Sequence, residues 1–181
     1  MNAVDISYNK VSKILHWSMA VIIILMLSGS FFIEDLGKPM IPTAFMIHKS
    51  FGLLILMLVL FRLIWNLKRG VPDLPDTLTA MEKKIAKAGH HFLYLLLFAM
   101  PLTGVFMSVA SKRYPTFFNL FTVTVPGIPQ TKSFAGLMNQ SHKILAWVMI
   151  TMVVLHIAAA LVHKFVKKDG VFERMACNCE K

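Results

Sequence analysis

A chain of 181 residues that is 56% hydrophobic and only 15% charged is too apolar for an ordinary soluble domain, whose apolar share is nearer ~45–50%. Its length fits one domain, residues 1–181. The formal net charge of +10 does not call for nucleic acid in such a chain, because basic loops held on the cytoplasmic side of a membrane account for it.

Residues 1–13 are polar, with Lys10 and Lys13 just ahead of the first apolar run, residues 14–33. About twenty helical residues suffice to cross a hydrocarbon core about 30 Å thick. The run is too long for a signal-peptide core and no A-x-A-like site follows it, so it reads as a retained first helix. His16 sits in its first turn, next to Trp17, which suits a membrane interface. A turn-rich loop with Gly37, Pro39 and Pro42 leads to the second span, residues 45–67. His48 lies at its start, Gly52 follows four residues later on the same face, and Arg62 lies towards its end. A glycine there leaves room for a bulky neighbour. Residues 68–87 form a polar connector that ends in a basic, amphipathic lead-in. The third span, residues 88–110, opens with His90 and His91 and contains Pro101 and Gly104, which suggest a kink and open space beside the helix. Residues 111–140 make the longest loop, and its Tyr114, Phe117, Phe118 and Phe121 suggest an aromatic lid on the membrane surface. The fourth span, residues 141–165, carries His142 and His156 and ends in a basic run. Cys177 and Cys179 stand in a short tail that cannot staple a fold, and in the cytoplasm they would stay reduced. The thirteen methionines serve as core and lipid-facing filler and can pack softly against a large flat cofactor.

The basic residues orient the chain. With the N-terminus inside, the inner segments carry Lys10, Lys13, Lys68, Arg69, Lys83, Lys84, Lys87, Lys164, Lys167, Lys168, Arg174 and Lys181, and the outer loops only Lys38, Lys112, Arg113 and Lys132. The expected architecture is an all-α integral membrane four-helix bundle with both termini cytoplasmic.

That topology sorts the histidines onto two levels. His142 and His156 are fourteen residues apart, about 21 Å and almost a whole number of turns along one helix, so they face nearly the same way. His48 should meet His142 near the outer surface, and His16 should meet His156 near the inner. Intramembrane histidines are costly without partners and are functional candidates by default. A pair from two helices of a bundle matches the axial ligation of a haem iron. Zinc is the competing metal, but it usually takes four ligands, and the spans carry neither cysteine nor acid at these levels. The alternative for any single one is a locally hydrogen-bonded interfacial histidine. Beyond the pairs, His90 and His163 could bind haem propionates or a quinone carbonyl, or simply snorkel to the interface. Arg62 could pair with a haem propionate, or with a backbone carbonyl or lipid headgroup.

Several stretches resemble the bacterial cytochrome b561 family: Lys13-Ile14-Leu15-His16-Trp17, Ile47-His48-Lys49-Ser50-Phe51-Gly52, Gly89-His90, Pro101-Leu102-Thr103-Gly104, Ser141-His142-Lys143, and the run from Leu155-His156 through His163-Lys164. The resemblance covers residues 7–175 and is closest to the small stand-alone members described as superoxide oxidases. It implies two b haems stacked in the bundle core, with His16, His48, His142 and His156 as their iron ligands. It also implies electron transfer from superoxide at the outer face of the bacterial inner membrane to ubiquinone near the inner face. Outer cations such as Lys112, Arg113 and Lys132 would then help collect the anion. The alternative within the same resemblance is an electron-transfer subunit working between a partner dehydrogenase or hydrogenase and quinone. The His90-His91 doublet and the cysteine tail depart from the family pattern and leave open which of the two histidines faces the site.

Overall fold

The computed structural model describes residues 7–176. Cys177, Cys179 and Lys181 lie outside the described residues. Four long helices follow one another: α1 (Lys10–Ser30), α2 (Ile41–Arg69), α3 (Ala80–Ala110) and α4 (Lys132–Leu161), which continues into a wider π-helical turn, Val162–Lys167. The shortest, α1, has 21 residues and is about 32 Å long. All four are long and apolar enough to cross a membrane.

Each helix begins outside its apolar run because polar caps start it. The Asn9 side chain accepts the Ser12 N–H at 3.0 Å and opens α1. Pro42 stands in the first turn of α2, and Gly70, with φ 76°, ends it in a conformation open to glycine. Thr79 and Glu82 form a reciprocal capping box at the head of α3, so the basic lead-in belongs to that helix. The Thr131 hydroxyl accepts the Phe134 N–H, which starts α4 nine residues before Ser141. His48, His90 and His142 therefore sit some turns inside their helices instead of at the ends. Helix α3 runs on through Pro101 without a break. The long loop shrinks accordingly and holds a small antiparallel hairpin, β1 (Thr116–Phe117) with β2 (Phe121–Thr122).

Close backbone packing runs α1 on α2, α2 on α3 and α3 on α4, and α4 makes no comparable packing against α1 or α2. All four helices nevertheless send side chains to one central cluster: Met19, Ile55, Val59, Leu96, Leu97 and Met149. Around it the outward faces stay apolar, with Ile14, Leu25, Leu60, Leu95 and Leu155 exposed, as helices lying in lipid require.

The two ends of the bundle differ. At the terminal end the segments flanking the bundle meet: the Tyr8 N–H donates to the Arg174 carbonyl at 3.2 Å, and the Trp17 indole N–H donates to the Met175 carbonyl at 2.9 Å. Lys167 forms an ion pair with Glu82, tying the end of α4 to the start of α3. At the hairpin end a second cluster, Leu53, Val105 and Val109, packs against Phe117, Val123, Val125 and Ile128. Ser50, wholly buried, fastens the hairpin to α2. Its hydroxyl accepts the Phe118 N–H at 2.9 Å and lies within hydrogen-bond reach of the Thr116 and Met46 carbonyls, at 2.9 and 2.8 Å.

Ser50→Ala leaves the Phe118 N–H and the Thr116 carbonyl without that partner, at an expected cost of about 1–3 kcal/mol. Hydrogen exchange should show loss of Phe118 amide protection with the helical amides of α2 unchanged. Equal protection in both proteins would show that the hairpin does not hang on Ser50.

Candidate haem centres

The helix placements bring the four intramembrane histidines into two pairs. His16 of α1 faces His156 of α4 at the terminal end, with ring centres 6.1 Å apart and planes at 68°. His48 of α2 faces His142 of α4 at the hairpin end, with ring centres 6.3 Å apart and planes at 77°. Each pair bridges two helices whose backbones do not pack closely on each other. An imidazole bound through one nitrogen at about 2.0–2.1 Å has its centre about 3.2 Å from the metal, so two opposed ligands have centres about 6.4 Å apart. Both pairs have the spacing of rings on opposite sides of one metal ion. Among the described residues, no group of three or more His, Cys, Asp or Glu is arranged to hold a metal. A metal held by only two protein ligands must bring its other ligands with it, as an iron porphyrin does.

The surroundings fit a large flat group. A cleft of ≈ 310 Å³ lies between α1 and α2 beside His48, lined by Met26, Gly29, Ile47 and Phe51 among others. A side chain at Gly29 would meet open space. Gly52 is less special than its position suggests, since an added Cβ would touch only the Met26 methyl at 3.9 Å, an ordinary contact. Gly104 is the tighter position. A Cβ there would lie 3.2 Å from Cε1 and 3.4 Å from Nδ1 of His142, so this glycine clears space for the ring instead of kinking α3.

The ring of His142 is also held by hydrogen bonds that its sequence neighbours do not announce. Its Nδ1–H points at the Met100 carbonyl of α3 at 3.0 Å and lies 3.1 Å from the Thr103 hydroxyl oxygen. This tautomer leaves Nε2 bare as a ligand.

At the terminal end the structure separates His90 from His91. The His90 ring stands edge-on to His156 with centres 5.5 Å apart, whereas His91, among the described residues, meets no other histidine ring and hydrogen-bonds only to the Lys87 carbonyl. The His90 Nδ1–H is taken by the Ala86 carbonyl at 2.6 Å. Arg62 lies with its guanidinium 5.8 Å from the Tyr94 ring centre, and its Nε is buried with no hydrogen-bond partner among the described residues. Such an atom suits an anionic group such as a haem propionate. Around it, Tyr94 accepts a hydrogen bond from Asn66 at 3.0 Å, and the buried Ser12 donates to Asn66 at 3.3 Å. Burial pushes the Tyr8 phenol up, while Arg174 and Arg62 draw it down.

His163 lies in the π-helical turn, where the regular helix spacing from His156 no longer holds, and its partner is Asp169 at 2.6 Å. Burial opposes ionisation of Asp169, but the hydrogen bonds from His163 and from the Val171 N–H outweigh it and hold the carboxyl below its ordinary value of 3.8. At the hairpin end Lys112, Arg113 and Lys132 are exposed, and Lys49 donates to the Arg113 carbonyl at 2.9 Å, close beside His48. Thr103, the Met100 carbonyl, Tyr94 and Asp169 escaped the sequence reading. Only Thr103 left a signal, as part of the Pro101–Gly104 stretch.

Paired intramembrane imidazoles on separate helices define a class: multi-pass membrane proteins that carry electrons on a metal cofactor. Residues 7–176 match the family model for prokaryotic cytochrome b561. The chain belongs to that family, whose members are membrane electron-transfer proteins, and membership implies haem b. It is 31% identical over 172 residues to the Escherichia coli (strain K12) protein named cytochrome b561 homolog 2, covering 93% of this chain and 90% of the relative. It is 28% identical over 162 residues to a Yersinia pestis protein named probable superoxide oxidase CybB, covering 89% and 90%. A second E. coli relative, cytochrome b561 homolog 1, is 27% identical over 128 residues, covering 71% and 72%.

The His163–Asp169 pair makes a pH prediction. A carboxyl whose folded pKa lies below its unfolded value stabilises the fold above the unfolded value, and this is lost as pH falls through the folded one. The pair's contribution is thus present above pH 3.8 and fades below it. Melting curves recorded from about pH 6 down to about pH 2.5 should show a steeper acid decline for the wild type than for Asp169→Asn. Parallel curves would show that the pair adds no such dependence.

Proposed function

We propose that the protein is a dihaem b-type cytochrome that takes electrons from superoxide at the outer face of the bacterial inner membrane and delivers them to ubiquinone near the inner face. His48 and His142 hold the outer haem, and His16 and His156 the inner. The observation that carries this reading is the two imidazole pairs at 6.1 and 6.3 Å, each joining α4 to a helix on which it does not pack closely. The excess of lysine and arginine at the terminal end supports placing that end, and with it both termini, in the cytoplasm.

When bound, each haem supplies a one-electron iron couple. Each superoxide gives one electron and leaves as oxygen, and ubiquinone takes two electrons and two protons to become ubiquinol, so two superoxides are consumed per quinone. The chain's part is to hold the ligands in line, bring the anion in and serve the quinone. The exposed Lys112, Arg113 and Lys132, with Lys49 behind them, attract an anion to the hairpin end. Arg62 would hold a propionate of the inner haem. His90 and His163 border the quinone site, and Asp169 accepts the His163 Nδ1–H and so fixes the orientation of that ring.

Two measurements test this. Purified wild type should contain two haems per chain, with His142→Ala and His156→Ala each retaining one. Two haems in either variant would sink the ligand assignment. Rapid mixing of the oxidised holoprotein with superoxide should reduce the haem quickly, and a ubiquinone analogue should then reoxidise it. Haem reducible by dithionite but not by superoxide would transfer the function to the second reading, an electron-transfer subunit fed by a partner dehydrogenase or hydrogenase.

A further inference from the structure

The stretch from Met100 to Gly104 forms a cradle around one histidine only. Met100 offers a carbonyl to His142 Nδ1 at 3.0 Å, and Thr103 offers a hydroxyl oxygen at 3.1 Å. Gly104 presents no side chain where a Cβ would come within 3.2 Å of the ring. The Thr103 hydroxyl donates its own proton to the Met100 carbonyl at 2.7 Å. That fixes its lone pairs towards His142, so the Nδ1–H is shared between two oxygens. The missing side chain at position 104 leaves the ring room to reach both. Among the described residues, the ring nitrogens of His16, His48 and His156 find no hydrogen-bond partner. Of the four paired imidazoles, His142 alone is polarised from behind.

The geometry points to Thr103 as a positioning residue that lowers the potential of the outer haem relative to the inner one and so biases electrons inward. A stronger hydrogen bond from Nδ1–H makes the imidazole a more basic ligand. A more basic axial ligand favours ferric over ferrous iron, and second-shell hydrogen bonding is one of the levers by which a protein sets a haem potential. The inner pair, with no such acceptor, keeps less basic ligands and a higher potential. An electron entering at the outer haem would then find the inner one the better acceptor. This inference rests on the ligand assignment proposed above and adds the direction of transfer to it.

The test is a redox titration of the purified holoprotein, following both haems by absorbance, for wild type, Thr103→Val, Thr103→Ala and Thr103→Ser. Val and Ala remove the hydroxyl with and without preserving bulk. Both should raise one midpoint by a threefold to tenfold change in the ferric–ferrous equilibrium, about 30–60 mV at about 59 mV per decade for one electron. The other midpoint should stay put and two haems per chain should remain. Thr103→Ser keeps the hydroxyl and should restore the wild-type value. The midpoint that moves must be the one missing from His142→Ala, and only that haem's low-temperature electron-spin-resonance signal should change. Two unmoved midpoints in Val and Ala, or a fall in place of a rise, overturn the inference while leaving the ligand pairs standing. Loss of haem in Val and Ala together with an unrestored midpoint in Ser would also overturn it. A wild type with fewer than two haems, or a His142→Ala protein that keeps both, overturns the ligand reading and this inference with it.

Discussion

An imidazole inside an apolar bundle needs something to satisfy it, and here each of four finds its neighbour in another imidazole on a different helix. The rest of the architecture follows from that requirement. Helix α4 carries one member of both pairs, yet it packs closely on α3 alone. What joins it to α1 and α2 is the central cluster around Met149 and the two histidine pairs. A group bound between the rings would therefore hold helices together as well as carry charge. In such a bundle, cofactor binding energy is folding energy, as it is for small metal domains.

The two ends close by different means, and the difference bears on what each can admit. The hairpin end is covered by backbone: β1 and β2 lie over α2, fastened at Ser50, two residues beyond a paired histidine. Exposed cations ring this cover, which suits a small anion that needs only to come close. The terminal end is closed mostly through side chains, with Trp17 reaching the Met175 carbonyl and Lys167 reaching Glu82, beside one backbone bond from Tyr8 to Arg174. Side-chain closures give way more readily than a pinned hairpin, which suits a larger, lipophilic visitor.

Much of this was legible in the sequence because it follows from two coarse signals. Apolar runs of about twenty residues marked four spans. The spacing of His142 and His156, with the alternation of up and down helices, was enough to pair them with His48 and His16 before any coordinates. Helix extents were not legible from hydropathy, since caps such as Thr79 with Glu82, and Thr131, start α3 and α4 in polar sequence. Neither was the grip on His142, because its acceptor is a backbone carbonyl on another helix, and every residue has one. Pro101 and Gly104 suggested a kink and open space; the helix continues through Pro101 without a break, and the glycine is explained by a ring some forty residues away in sequence. The partner of His163 was not legible either: the backbone widens into a π-helical turn after Leu161, and the ring pairs with Asp169.

The polar inventory of the two levels also argues for a direction. Tyr8, Ser12, Asn66, Tyr94, Arg62, His90, His163 and Asp169 gather at the terminal end, several of them able to give or take a proton. The hairpin end has cations, carbonyls and hydroxyls but no counterpart to the His163–Asp169 pair among the described residues. Under the proposed reading this division is chemically apt. Superoxide gives up an electron and leaves as oxygen without handling a proton, so a charged rim and a polarised ligand serve it. Quinone reduction consumes two protons with its two electrons, so the acceptor site needs ionisable side chains open to the cytoplasm. A bundle built this way has its redox direction and its protonic side set by the same asymmetry.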